Sequence, residues 1–234
     1  MSSNRAWALS ALLLVLGLSS GARADGEEPA DCAREVAGRV QARYEGVRDL
    51  EARFTQKSRS VAFGGAAQEM RARGVALFAK PGRMRWTYEE PEPSVVVSDG
   101  KTLWIYDPVA QEVQEFSVGA GFLSGTAVQF LLGEGRILDA FEVGAEGCGT
   151  NAVRLLLRPR AETSYESLEL LVAPETGDVR ESAVVDLFGN RTDVIFESMR
   201  TNLGVDPAKF RFEAGPGVRV LRPGTPPGGG SDSQ

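Results

Sequence analysis

The chain of 234 residues contains no histidine. That removes the commonest general base, the imidazole of a Ser-His-Asp triad and the commonest zinc ligand together. No Gly-x-Ser-x-Gly elbow, phosphate-binding P-loop or dinucleotide-binding glycine fingerprint occurs either. Glu89, Glu90 and Glu92 are the one carboxylate cluster that could pair an acid with a nucleophile, as in glycoside hydrolysis. They flank Pro91 and Pro93 in a turn, where solvated charge accounts for them, and no motif meets the requirements of a catalytic site. The residue types therefore predict no catalytic residue, no metal site and no cofactor. Cys32 and Cys148 form no Cys-x-x-Cys. In an oxidising compartment an even count points to one disulfide, the alternative being two separate small buried residues. A bridge across more than a hundred residues would contribute roughly 4–5 kcal/mol in the chain-entropy description.

What remains unusual is apolar bulk. Phe54, Met84, Trp86, Trp104, Phe122, Phe130 and Leu131 are large, and most are aromatic. A solid core explains any one of them. Taken together, on segments that alternate apolar and polar residues, they predict an apolar cavity with a cover.

The elements that must position them are mostly strands. Val36, Val40, Tyr44 and Val47 fall on one face of a 3.6-residue period, so residues 32–46 read as a helix after a loose polar stretch at 25–31. The period then drops to two. Leu50-Glu51-Ala52-Arg53-Phe54-Thr55-Gln56-Lys57 alternates, and Met84, Trp86 and Tyr88 share one face of the next-but-one strand. Asp99-Gly100 marks a tight hairpin turn between residues 94–98 and 102–106. Residues 119–136 are apolar and punctuated by Gly119, Gly121, Gly125 and Gly133, which reads as a short helical lid or a connecting helix. Further strands are predicted at 70–79, 112–118, 137–143, 151–158, 166–173, 179–188, 191–199 and 209–213. Hairpin succession without β-α-β alternation predicts an antiparallel sheet, curled as an unclosed barrel of about eleven strands with an N-terminal helix and a lid.

Arg5, the apolar run Ala11 to Leu18 and Ala22-Arg23-Ala24 have the order of an export signal over residues 1–24. The expected mature chain is a domain at 25–221 with a Pro/Gly-rich tail at 222–234. Without Arg5 and Arg23 it carries 24 basic against 32 acidic side chains, a formal charge of −8. Such a balance does not suit nucleic acid.

Several segments resemble one family. They are Phe54-Thr55-Gln56-Lys57; Pro81 with Met84-Arg85-Trp86-Thr87-Tyr88 and Pro91; Val97 through Asp107-Pro108; Asp186 with Gly189-Asn190-Arg191-Thr192; and Asp206-Pro207-Ala208-Lys209-Phe210-Arg211-Phe212. In order and spacing they are similar to the outer-membrane lipoprotein carrier (LolA) family. The resemblance covers about residues 36 to 220. It implies a monomeric periplasmic carrier that takes acylated lipoproteins from an inner-membrane ABC transporter (LolCDE) and hands them to an outer-membrane receptor lipoprotein (LolB). Alternation and motif position together predict that Val40, Tyr44, Phe54, Met84, Trp86 and Trp104 line or cover the cavity, with Phe122, Phe130 and Leu131 in the lid. Family members often carry an arginine before the proline of the second motif, where it ties the lid down. Lys80 stands there in this chain, and Arg83 is the other lid-closing candidate. The rival readings are a lipid-sensing module of the same fold, a carrier for another lipid, and a filled structural protein.

Overall fold

The computed structural model describes residues 27–61, 68–117, 135–163 and 165–222. Helix α1 (Glu27–Glu45) precedes β1 (Asp49–Ser60), β2 (Gln68–Ala79), β3 (Arg83–Glu90), β4 (Ser94–Ser98), β5 (Thr102–Asp107) and β6 (Glu112–Ser117). A single helical turn, α2 (Ile137–Ala140), leads into β7 (Phe141–Glu146), β8 (Val153–Pro159), β9 (Tyr165–Ala173), β10 (Asp178–Asp186) and β11 (Arg191–Thr201). A 3-10 turn (Pro207–Phe210) and β12 (Arg219–Leu221) end the described chain. The expected signal, tail and lid, with Phe122, Phe130 and Leu131, lie outside the described residues.

All twelve strands belong to one sheet, ordered β12-β6-β5-β4-β3-β2-β1-β11-β10-β9-β8-β7. The edge strands β12 and β7 do not pair with each other, so the sheet is unclosed. The long β1 is the seam. It pairs with β2 on one side and β11 on the other, which joins two hairpin meanders. The β6–β12 pair is parallel, and the other pairs are antiparallel. The unclosed antiparallel sheet with an N-terminal helix is the architecture expected from the alternation.

Three segments differ from the expectation. Helix α1 begins at Glu27, inside the stretch read as loose; Asp31, near that end, pairs with Arg34 one turn on (2.7 Å). The strand expected from residue 137 starts as α2, because the Ile137 amide donates to Gln41 Oε1 of α1 (3.1 Å) and its side chain is buried. Tertiary contact there overrides the β-branched preference. Residues 209–213 form no ladder. They cross the outer face of the sheet, and the last strand is β12.

Paired residues of an antiparallel ladder share a face, so the registers fix what points inward. Phe54 pairs with Gly74, Gly74 with Tyr88, Ala76 with Trp86 and Phe78 with Met84. Gly74 is required at this crossing, since a Cβ would lie 2.0 Å from the Thr87 carbonyl oxygen and 3.1 Å from the Phe54 ring. On the other side of the seam, Leu155, Leu157, Leu168, Leu170 and Val172 face inward and are fully buried. Helix α1 lies over that half. It packs on β7, β8 and β10 and buries Val36, Ala37, Val40 and Tyr44.

The outer face of this half carries an ion network. Arg191 reaches Glu169 (2.6 Å) and Asp193 (2.8 Å), while Arg154 and Arg59 hold the same two carboxylates. Hydrogen bonds from Arg191 hold the Glu169 carboxyl below its usual range, and its own partial burial opposes them less strongly. A carboxylate depressed in the folded state stabilises it above the unfolded value, about 4.3 for Glu, and that stabilisation fades as pH falls through the folded value. Thermal melts should therefore show a shallower loss of stability below about pH 4.5 for Glu169→Gln than for the parent chain. Parallel pH profiles would remove Glu169 from this role.

Candidate binding face

The inner face divides into two regions of different character. Under α1 it is filled mostly by aliphatic side chains, with Phe141 of β7 among them. From β1 to β6 it is aromatic and less completely covered. Phe54 meets Trp86 edge-on at 4.8 Å between ring centroids and Tyr88 at 5.2 Å; Phe78 meets Trp86 at 5.4 Å. Edge-to-face contacts of this kind add about 0.5–1.5 kcal/mol each beyond area burial. They make a rigid aromatic floor from a run that alternates cleanly in sequence.

Beyond the floor the face continues through Val96, Ile105, Leu103 and Phe116. Val96 pairs with Trp86 and Ile105, and Leu103 pairs with Phe116. Ile105 remains 37% exposed although it points inward. Neither described helix packs on β3–β6 as α1 packs on β7 and β8. The polar groups at these inner positions are neutral, among them Gln56, Ser98 and Gln114. Tyr88 donates to Gln56 Oε1 (3.1 Å), and burial pushes its phenol pKa up. The surface is broad, apolar and uncharged at its centre.

The structure brings most of the sequence-predicted lining together. Phe54, Met84 and Trp86 share the aromatic floor, and Val40 and Tyr44 of α1 belong to the same apolar cluster. The Tyr44 hydroxyl accepts from the Val179 amide (3.2 Å) and lies 3.6 Å from Met199 Sδ, so it serves the packing of α1. Trp104 is the exception. It pairs with Val97 and so points to the outer face, where its Nε1 donates to Glu115 (3.3 Å). The neighbouring Ile105 takes the inner position that the sequence reading gave to Trp104. Tyr88 was read on the right face but not as lining. Its spacing of two from Trp86 was the available signal.

The two lid-closing candidates also separate. Lys80 sits in the β2–β3 turn, before a cis peptide bond to Pro81. Its Nζ donates to the carbonyl oxygens of Tyr44 (3.1 Å) and Glu45 (2.9 Å). Both carbonyls belong to the last turn of α1, where the Tyr44 carbonyl oxygen also accepts from the Val47 amide (3.1 Å), and a cation there complements the helix dipole. Arg83 is on the outer face. Its guanidinium donates to the Lys80 carbonyl and lies 5.5 Å from the centroid of the Phe210 ring. The opposite end of α1 is held by the disulfide of Cys32 to Cys148 in the β7–β8 turn, with Cα atoms 6.3 Å apart. Arg39 donates to the Pro174 carbonyl, and Arg43 pairs with Asp178 (both 2.7 Å), which fastens the middle. Of the acidic cluster, Glu89 and Glu90 end β3 instead of lying in the turn, and they are ion-paired, to Arg53 (2.8 Å) and to Arg73.

The sequence has relatives among known proteins. Residues 45–213 match the family model described as outer membrane lipoprotein carrier protein LolA. The chain belongs to the LolA family. The outer-membrane lipoprotein carrier protein of Alkalilimnicola ehrlichii is 33% identical over 77% of this chain and 81% of its own. That of Chromobacterium violaceum is 29% identical over 91% and 95%. The crystal structure of a LolA superfamily protein from Nitrosomonas europaea aligns over 77% of this chain and 97% of its own, at 11% identity and a TM-score of 0.44. Among the described residues no helix is long and apolar enough to cross a membrane. Within the LolA family pattern, the lysine at position 80 makes two single-point hydrogen bonds, where an arginine fork would present more donors.

The fastening of α1 is open to measurement. Lys80→Met should lower unfolding stability by about 1 kcal/mol through loss of the cap. Cys148→Ser should lower it by roughly 2–5 kcal/mol. Urea denaturation of both variants checks the order, and an unaffected Lys80→Met would mean the two hydrogen bonds contribute nothing.

Proposed function

We propose that the chain is a non-enzymatic periplasmic carrier that shelters the acyl chains of lipoproteins between the inner and outer membranes. The observation that carries this reading is the inner face of β3–β6, apolar and uncharged, with Ile105 partly open on it. Membership of the LolA family supports it. Residues 1–24 act as the export signal, and residues 25–221 form the carrier. Residues 119–136, with Phe122, Phe130 and Leu131, cover the loaded face.

The physical task matches such a surface. Each buried methylene is worth about 0.8 kcal/mol, so a multiply acylated protein does not cross water unaided. An acyl chain has no charge and no fixed shape. Flat rings and unbranched Met84 give contact area without demanding one conformation. The chain carries no nucleotide-binding motif, so the energy of loading comes from its partner. The family reading assigns that partner as the LolCDE transporter and the acceptor as LolB.

Ile105→Glu tests the face directly. A carboxylate at a partly exposed position should change stability by no more than about 1 kcal/mol. It should weaken binding of a fluorescent triacylated peptide at least tenfold, because an apolar site has nothing to pair with it. Trp104→Phe, on the outer face, should bind as the parent does. Equal binding by the parent and Ile105→Glu would reject the site, and a loss confined to Trp104→Phe would move it to the other face of the sheet.

A further inference from the structure

The β10–β11 turn has a feature that acyl binding does not need. Leu187 is 63% exposed and Phe188 84% exposed at its tip. Val61, at the end of β1, is also 63% exposed, and its Cγ2 lies 3.6 Å from where a Cβ of Gly189 would stand. Met70 of β2 is 60% exposed on the inner face of the same rim, paired with Ser58. Four large apolar side chains therefore project at one end of the sheet.

The exposure is built into the turn. The Asp186 carboxylate accepts from the Phe188 amide (2.8 Å), the Asn190 amide (2.9 Å) and Asn190 Nδ2 (2.7 Å). Asn190 Oδ1 in turn accepts from the Val61 amide (2.9 Å) and the Ser60 hydroxyl (3.1 Å). Gly189 supplies the positive φ, +83°, that the turn requires. One aspartate and one asparagine thus lock two neighbouring strand ends and hold Phe188 outward, where an ordinary hairpin tip carries polar residues. The Asp186, Gly189 and Asn190 of the sequence motif are explained by this scaffold.

We infer that this rim inserts shallowly into the interface of a zwitterionic lipid bilayer when the carrier loads or unloads, an inference that rests on the acyl-carrier reading. Three observations select a bilayer. The knob protrudes, and an apolar protrusion is buried most simply by a soft surface. It continues at Met70 into an inner face whose next positions carry the neutral side chains Ser58, Gln56 and Ala72. The cations around it are already matched, Arg59 by Asp193, Arg71 by Glu69 and Arg191 by Glu169, and the chain is acidic overall. An anionic membrane surface would repel it, and a neutral one does not.

The test uses the full chain and sedimentation with phosphatidylethanolamine/phosphatidylcholine vesicles. The parent should partition into the vesicle pellet, and the double variant Leu187→Ser/Phe188→Ser should partition about tenfold less with an unchanged thermal melt. The same variant should bind the soluble triacylated peptide as the parent does. Ile105→Glu should show the converse, normal partition and weakened peptide binding. A parent that stays in the supernatant, or a double variant that sediments equally, would overturn the membrane rim and leave the carrier reading standing. A double variant that loses peptide binding instead would assign the knob to the acyl site and overturn the inference as well.

Discussion

A sheet of twelve strands with one apolar side has more dry surface than a single helix covers. Twelve strands span roughly 55 Å at about 4.8 Å per strand. A helix of 19 residues is about 28 Å long and about 10 Å wide. Curling brings the two halves of the inner face closer without closing the barrel. Helix α1 completes the core over β7, β8 and β10, and the aromatic half of the face is left to be covered by something else. The open aromatic face follows from this mismatch between the area of the sheet and the size of its helix.

The outer face has the complementary arrangement. The chain after β11 crosses it, fastened first at Asp49, whose carboxylate accepts from the amides of Leu203 (2.6 Å) and Gly204 (3.0 Å). Phe210 is fully buried there and forms a second small core with Leu77 and Ala79. Phe212 packs on Tyr106 and Arg222 pairs with Glu115 of β6 on this face, while Arg219 pairs with Glu112 along the β6 edge. Strands β3–β6 are therefore backed on their convex side, where Val97 and Val113 are buried, while their concave side keeps partly open positions. A stiff back behind an accommodating front keeps the aromatic floor in place without filling the space in front of it.

Sequence reasoning succeeded where one face of a strand is wet. Arg83-Met84-Arg85-Trp86 alternates by charge, so its inward set could be read directly, and the seam strand around Phe54 behaved the same way. Thr102-Leu103-Trp104-Ile105-Tyr106 does not alternate, because the C-terminal crossing buries its outer side too. With both faces apolar the period is silent about phase, and only the register through Asp99-Gly100 places Ile105 inward and Trp104 outward. Residues 209–213 show the reverse case. Phe210 and Phe212 both turn toward the sheet, as alternation says, but periodicity gives the direction of side chains and not their backbone partners. The role of Lys80 was hidden for a further reason. Its acceptors are carbonyls at the end of a helix 35 residues earlier, which no local pattern reveals.

The attachments of α1 bear on how such a carrier opens. Lys80 belongs to a set of attachments that includes a disulfide at one end of the helix, the Arg39 and Arg43 contacts along it, and the Tyr44 hydroxyl inside the core. Removing one hydrogen bond from that set leaves the others holding the same helix against the same strands. The aromatic half has no such fastening among the described elements. Its contacts are ring edges and aliphatic side chains, which exchange one neutral apolar neighbour for another at little cost. Rigidity over β7–β10 and exchangeable contact over β3–β6 are both needed by a protein that must keep its shape while its ligand comes and goes.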